Sequence, residues 1–411
     1  MYIYFFIFLS FLFYYREIIM DYCKMIIENF MTNKINNIYK ISLNMDYDTF
    51  LNSYKNNKNI NFIINKYDKD NLLIEQTTFI NQKFIGEGTY SKVFKIKKEL
   101  TDEYFIIKLG ITYPDVTLDE AKNIIKIFNY DGISNSLKYE INSYGMNDIT
   151  KNTNTDGIIN YKDVSFIIMS YFSDYDMCEY QHFIDKSPIN SKIKLYIKKL
   201  PILLNKIINN LIELNKYFNH NDIKQDNIII NLDDNTVKII DYGLCSKIDE
   251  VFTTLGYRQI SPEYILNKFD KSYIISNQQS YKIDNFGLFW LILDIFTNER
   301  LFNKYIKLPL EDHSNESYKS TLNFYLNINN INKNTLSAKI KKELVDFTHK
   351  NIRNEFIEDV YYFTNSYIKD NLFYDKNEFY CFIKNMLDLI NFDPLQRMDL
   401  SDFIKNSFFS K

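Results

Sequence analysis

The chain has 411 residues, room for two or three domains and a large buried core, which excludes small disulfide scaffolds and lone peptide modules. With 46% hydrophobic and 25% charged residues and a formal net charge of -3, it has the composition of a folded protein, and nothing points to nucleic acid as a partner. Five Arg stand against 44 Lys, and Gly and Pro are few, so an AT-biased genome explains much of the Asn, Lys and Ile content before any structural preference does. The four cysteines, Cys23, Cys178, Cys245 and Cys381, lie far apart without a CxxC pair, which argues against zinc or a disulfide framework and fits reduced thiols in a cytoplasmic setting.

Tyr2 to Tyr15 is apolar or aromatic apart from Ser10. Such a run rises about 21 Å as a helix, short of the roughly 30 Å hydrocarbon core of a bilayer. Residues 1–19 are therefore read as an apolar leader, with Met20 an alternative start and any membrane association resting on residues 2–15. Were the leader inserted, Arg16 and Lys24 would keep the remainder in the cytosol. Residues 20–78 mix helical-looking pieces with an Asn/Lys-rich run, Asn52 to Asn65, and form an N-terminal extension without a chemical motif. From Phe79 the pattern is strand-like: Phe84-Ile85 leads into a glycine turn, Val93 to Ile96 alternates, and Tyr104 to Leu109 is rich in β-formers. Helices are expected near Leu118–Phe128 and Leu137–Met146, with strands at Ile158–Tyr161 and Val164–Phe172. Helices then dominate, and Leu203, Ile207, Leu211, Leu214 and Phe218 mark one buried helical face. The expected architecture is α+β, a small β-rich lobe with one main helix before a larger helical lobe.

Gly86-Glu87-Gly88-Thr89-Tyr90-Ser91-Lys92-Val93 sits between two strand-like runs, where missing Cβ atoms let a backbone close over phosphate oxygens. Ser91 replaces the third glycine and a strand follows, which disfavours a dinucleotide fold. Lys108 lies in the apolar run Phe105–Leu109, where an ammonium needs a carboxylate and an anionic ligand to offset its burial. The candidate carboxylates are Glu120 and Glu140, each on a predicted helix, with Glu140 preferred. The strongest signal is His220-Asn221-Asp222-Ile223-Lys224-Gln225-Asp226-Asn227, followed by the strand Thr236–Ile240 and then Asp241-Tyr242-Gly243.

Together these segments resemble the eukaryotic-type protein kinases, matching their Gly-rich loop, strand lysine, HRDxxxxN and DFG signatures in order. Ser261-Pro262-Glu263 resembles the family's APE, and Asp284 to Phe302 aligns without a gap on its DxWxxGxxLxExLxGxxPF helix. Met386-Leu387-Asp388 with Asp393-Pro394-Leu395-Gln396-Arg397 resembles its closing ML and DPxxR segment. The resemblance covers about residues 79–411, with an N-lobe at about 79–169, a C-lobe at about 173–411 and extra residues near 111–136 and 306–375. It is that of a divergent member, from a large DNA virus or a protist if the codon bias is a guide.

The resemblance implies an ATP- and Mg²⁺-dependent serine/threonine kinase acting on protein substrates. It assigns the proton-accepting role to Asp222 and charge neutralisation on the phosphoryl group to Lys224, a position that in the family accompanies serine/threonine specificity. It assigns metal binding to Asn227 and Asp241, and the α/β-phosphate contact to Lys108, paired with Glu140. The nucleotide would be covered by Gly86, Glu87, Gly88, Ser91 and Val93, with Met169 as gatekeeper and Ser170 to Phe172 as hinge. Glu263 and Arg397 would form a structural ion pair. Among the departures, Asn221 replaces an arginine that in relatives clamps a phosphorylated activation loop, so phosphorylation at Thr253 or Thr254 should gain little unless Arg258 or a lysine stands in. Phe289 replaces a glycine, and two extra residues separate Gly256-Tyr257-Arg258 from Ser261. Cys245 is read as a small buried side chain. A pseudokinase scaffold and a small-molecule phosphotransferase are the alternatives; every catalytic position is filled, against the first, and the SPE and DPxxR segments speak against the second.

Overall fold

The structure, a computed structural model, describes residues 38–43, 52–56, 60–88, 90–111, 113–148, 152–153, 159–160, 163–173, 175–186, 191–248, 255–272, 282–306, 315–344 and 348–410. The apolar leader, Thr89, Thr253 and Thr254 fall outside them. The chain divides into two compact units, one ending at Leu118 and resuming for Glu140–Tyr171, the other comprising Asp119–Tyr139 and Phe172–Lys411.

The first unit is built on one antiparallel sheet. Its strands are β1 (Ile38–Leu43), β2 (Phe62–Tyr67), β3 (Leu73–Glu87), β4 (Ser91–Lys98), β5 (Tyr104–Gly110), β6 (Ile141–Asp148) and β7 (Asp163–Ser170), in the spatial order β1-β2-β3-β4-β5-β7-β6. Alternation along β4 and β5 turns Phe94, Ile96, Ile107 and Leu109 inward, where they meet Phe62, Phe166 and Ile168 in one buried cluster. The sheet curls until its first and last strands approach. At Gly145 on β6 a Cβ would stand 2.3 Å from the carbonyl oxygen of Tyr39 on β1, so only glycine admits this closure.

Residues before Phe79 supply β1, β2 and the start of β3 to this same sheet, and Phe79 itself lies inside β3. One sequence expectation is corrected here. Leu137–Met146 is not a helix: Leu137 lies in a turn, and Ile141–Asp148 pairs with β7 as a strand. Asn142, Ser143 and Gly145 are poor helix formers, and Ser143 and Gly145 pair with Ile168 and Phe166 of β7 instead, with Asn142 at a bulge.

Helix α1 (Pro114–Phe128) carries proline in its first turn and an acidic-to-basic polarity from Asp115 to Lys126 that suits the helix dipole. The second unit takes in α1 from Asp119 onward and continues through α2 (Met177–Lys186), α3 (Ser191–Leu214), β8 (Ile228–Asn231), β9 (Thr236–Ile239), α4 (Pro262–Phe269) and α5 (Asp284–Thr297). The apolar stripe expected to run to Phe218 ends with α3 at Leu214, and Phe218 opens a two-residue strand. Every residue of α5 is buried, which fits a sequence apolar on all sides and makes it the axis of the unit. Phe289 on α5 stacks on Phe356 of the helix Arg353–Phe363, so the inserted region supplies the partner for the side chain that replaces glycine. Among the described residues no helix is long and apolar enough to cross a membrane. The architecture is the expected α+β, a β-sheet unit and a helical one.

Candidate active site

In the first unit Gly86 pairs with Val93 and Glu87 with Lys92, while the N–H of Gly88 donates to the carbonyl of Ser91 at 2.8 Å. Nothing lies within 4 Å of where a Cβ would stand at Gly86, and at Gly88 only Ser91 O does, at 3.8 Å. Neither glycine has a positive φ. The fold itself thus makes no steric demand for glycine at either position. Lys108 lies opposite Val93 on one side and Ile167 on the other, on the outward face of β5. Met169 and Ser170 end β7, and the N–H of Ser170 donates to the carbonyl of Glu140 at 3.0 Å. Glu140 itself is exposed, in the loop before β6 rather than on a helix.

In the second unit the His220–Asn227 segment closes into a polar cluster. Lys224 Nζ lies 2.7 Å from Asp222 Oδ2, and Asn227 Nδ2 donates to the same oxygen at 3.0 Å and to the Asp222 carbonyl at 2.8 Å. Burial pulls the Lys224 ammonium down, but the carboxylates of Asp222, Asp241 and Asp226 outweigh it and hold the group above the ordinary lysine range. The other oxygen of Asp222, Oδ1, lies against Gly256, where a Cβ would stand 2.1 Å away; the N–H of Gly256 donates to the Asn221 carbonyl at 2.7 Å. Glycine at 256 is what leaves Oδ1 its position.

Beneath this cluster Asp284, at the start of α5, ties the segment down. Its Oδ2 accepts the N–H of His220 and the amide of Asn215, each at 2.7 Å, and its Oδ1 accepts the N–H of Asn221 at 2.9 Å and Gln259 Nε2 at 2.6 Å. Gln259 Oε1 in turn accepts the N–H of Ile223 at 3.0 Å. Asn221 has a positive φ of 65°, a conformation asparagine tolerates well, and its Nδ2 donates to Leu244 O and Ser246 Oγ, both at 2.8 Å. Asp241 is also left-handed, with φ 63°, and Tyr242 behind it is buried against His220 and the α1 residue Phe128. Glu120 on α1 is 5% exposed and lies beside Gly243, its Cγ 3.9 Å from where a Cβ would be.

A family model described as a protein kinase domain matches residues 79–409. The chain belongs to the protein kinase family. It is 26% identical over 279 residues to the serine/threonine-protein kinase prpf4B of Dictyostelium discoideum, an alignment covering 66% of this chain and 31% of that relative.

In this kinase the ion pair expected between Glu263 and Arg397 is present. Both side chains are almost fully enclosed, at 1% and 0% exposure, in bidentate contact with Nη2–Oε2 at 2.6 Å, and the guanidinium also covers the Phe286 ring. Arg258 is buried in an ion pair with Asp294 and donates to Glu299 at 2.9 Å. Burial, then the nearby carboxylates of Asp284, Asp241 and Asp222, pushes the Cys245 thiol well up, opposite to what a reactive thiolate requires. The residues to which motif reading gives no role are Gly256, Gln259 and Asp284.

Proposed function

We propose that this kinase transfers the γ-phosphoryl group of ATP to serine or threonine hydroxyls of protein substrates. The observation that carries the proposal is the Asp222 carboxylate, one oxygen held by Lys224 and Asn227 and the other lying over Gly256. A carboxylate so oriented accepts a proton from an incoming hydroxyl, and the adjacent ammonium offsets charge on the phosphoryl oxygens.

The donor set also fits Mg²⁺. Asn227 spends its amide nitrogen on Asp222, which leaves its oxygen as the atom for a hard cation, and Asp241 contributes a carboxylate. Bound Mg²⁺ would neutralise charge on the phosphates and orient them for in-line transfer. Gly86, Glu87, Gly88, Ser91 and Val93 would cover the phosphates and base, with Lys108 on the α/β-phosphates and Met169, Ser170 and Phe172 flanking the adenine. As carboxylate partner for Lys108 we favour Glu120 over Glu140, because Glu120 is helical, buried and next to the Asp241-Tyr242-Gly243 turn, whereas Glu140 is an exposed loop residue.

Full-length protein incubated with Mg²⁺, labelled ATP and a generic basic protein is expected to yield phosphoserine or phosphothreonine. Mainly phosphotyrosine would overturn the specificity, and absence of any transfer the activity. In the same assay Glu120→Gln is expected to lower kcat/KM at least tenfold and Glu140→Gln less than threefold. The reverse order would restore Glu140 to the role.

A further inference from the structure

Lys92 stands in the glycine-rich segment yet is only 4% exposed. Along β4 it alternates with Val93: Val93 lies opposite Lys108 on the outward face of the sheet, whereas Lys92 lies opposite Leu109 and faces the curled interior with Phe94 and Ile96. An ammonium in such a place is costly unless its three N–H donors find acceptors. Here Nζ reaches the carbonyl of Tyr54 at 2.9 Å, the carbonyl of Lys55 at 3.3 Å and Glu87 Oε2 at 3.4 Å. It also lies over the Tyr54 ring at 5.0 Å and the Phe84 ring at 5.6 Å.

Tyr54 and Lys55 belong to a helical turn at residues 52–55, upstream of Phe79, where the match to the family begins. The turn is itself fixed from within: Tyr54 is buried, its hydroxyl donates to the carbonyl of Leu109 at 3.3 Å, and its ring meets that of Phe94 at 6.5 Å. The carbonyls offered to Lys92 come from the C-terminal end of that turn, where a cation is electrostatically favoured. One side chain therefore ties both arms of the glycine hairpin to the extension: Lys92 is on β4, and Glu87 and Phe84 are on β3.

We propose that Lys92 is a positioning residue for nucleotide binding, and that residues 52–55 act as an intramolecular strut holding the β3–β4 hairpin in its ATP-binding shape. This rests on the reading of Gly86–Val93 as the phosphate-covering loop. A hairpin held in place before ATP arrives loses less freedom on binding, so the strut should act on nucleotide affinity and hardly on the transfer step.

The test uses the full chain and its Lys92→Met and Lys92→Arg variants. Lys92→Met keeps the stem and removes the donors; it is expected to raise KM for ATP about tenfold with kcat within about twofold, and to speed amide hydrogen exchange at residues 84–93 in the nucleotide-free protein at least tenfold. Lys92→Arg, which restores donors, is expected to recover most of both. In the wild-type chain Mg²⁺–ADP is expected to slow exchange at residues 52–56 together with residues 84–93. An unchanged KM and unchanged exchange in folded Lys92→Met would overturn the strut. Should Lys92→Met fail to fold, nucleotide protection of residues 84–93 without residues 52–56 in the wild type would overturn it equally. If the wild-type chain binds no nucleotide, the ATP reading falls, and exchange in nucleotide-free Lys92→Met against wild type still decides the strut: unchanged exchange at residues 84–93 would overturn it.

Discussion

Replacing Asp222 with Asn is expected to lower turnover about 10²- to 10⁴-fold, the range for loss of a general base, with ATP affinity kept within about threefold of wild type. The amide oxygen can still accept from Lys224 and Asn227, which now meet at Asp222 Oδ2, so the local hydrogen bonds survive. What disappears is the second carboxylate oxygen, the one lying against Gly256. Asp241→Ala is expected to behave differently, losing Mg²⁺-dependent nucleotide binding along with turnover, because under the proposed roles it removes a ligand of the cation and not the proton acceptor. Nucleotide titrations with and without Mg²⁺, paired with single-turnover rates, separate the two. Equal loss of ATP binding in both variants would reject the division of roles.

Arg397→Ala is expected to cost about 3–5 kcal/mol, because it leaves the Glu263 carboxylate buried and unpaired. For a domain of this size the melting temperature would fall by several degrees, and a change below about one degree would refute the pairing. The double variant Glu263→Leu/Arg397→Met is expected to regain part of the loss, since it removes the stranded charge. Failure of the double variant to exceed Arg397→Ala would point to lost packing over the Phe286 ring, which the guanidinium covers at 4.6 Å, as the main cost.

The convergence of Asp222, Lys224 and Asn227 is legible in the sequence because short-range spacing and residue type suffice when side chains of one short segment must meet. The helical second unit was legible from periodicity for the same local reason. The strands β1 and β2 were not: Phe62-Ile63-Ile64 lies in an Asn/Lys-rich stretch, and codon bias blurs the contrast on which strand recognition depends. Glu140 was preferred on a helical pattern that β-pairing overrides. Lys92 and Gly256 were out of reach for another reason. Each matters through a partner distant in sequence, at Tyr54 and Asp222 respectively, and no local pattern encodes such a meeting.

Asn221 has a consequence for how the Asp222 segment responds to salt. Where the family resemblance leads one to expect a guanidinium and a phosphate, this chain joins the Asp222 segment to the stretch after Asp241-Tyr242-Gly243 through a neutral amide donating to Leu244 O and Ser246 Oγ. An ion pair at a partly hydrated site weakens as added salt shortens the Debye length, to about 3 Å at 1 M, whereas a neutral amide hydrogen bond has no net charge to screen. The link from Asn221 to Leu244 and Ser246 should therefore hold its geometry over wide swings in ionic strength.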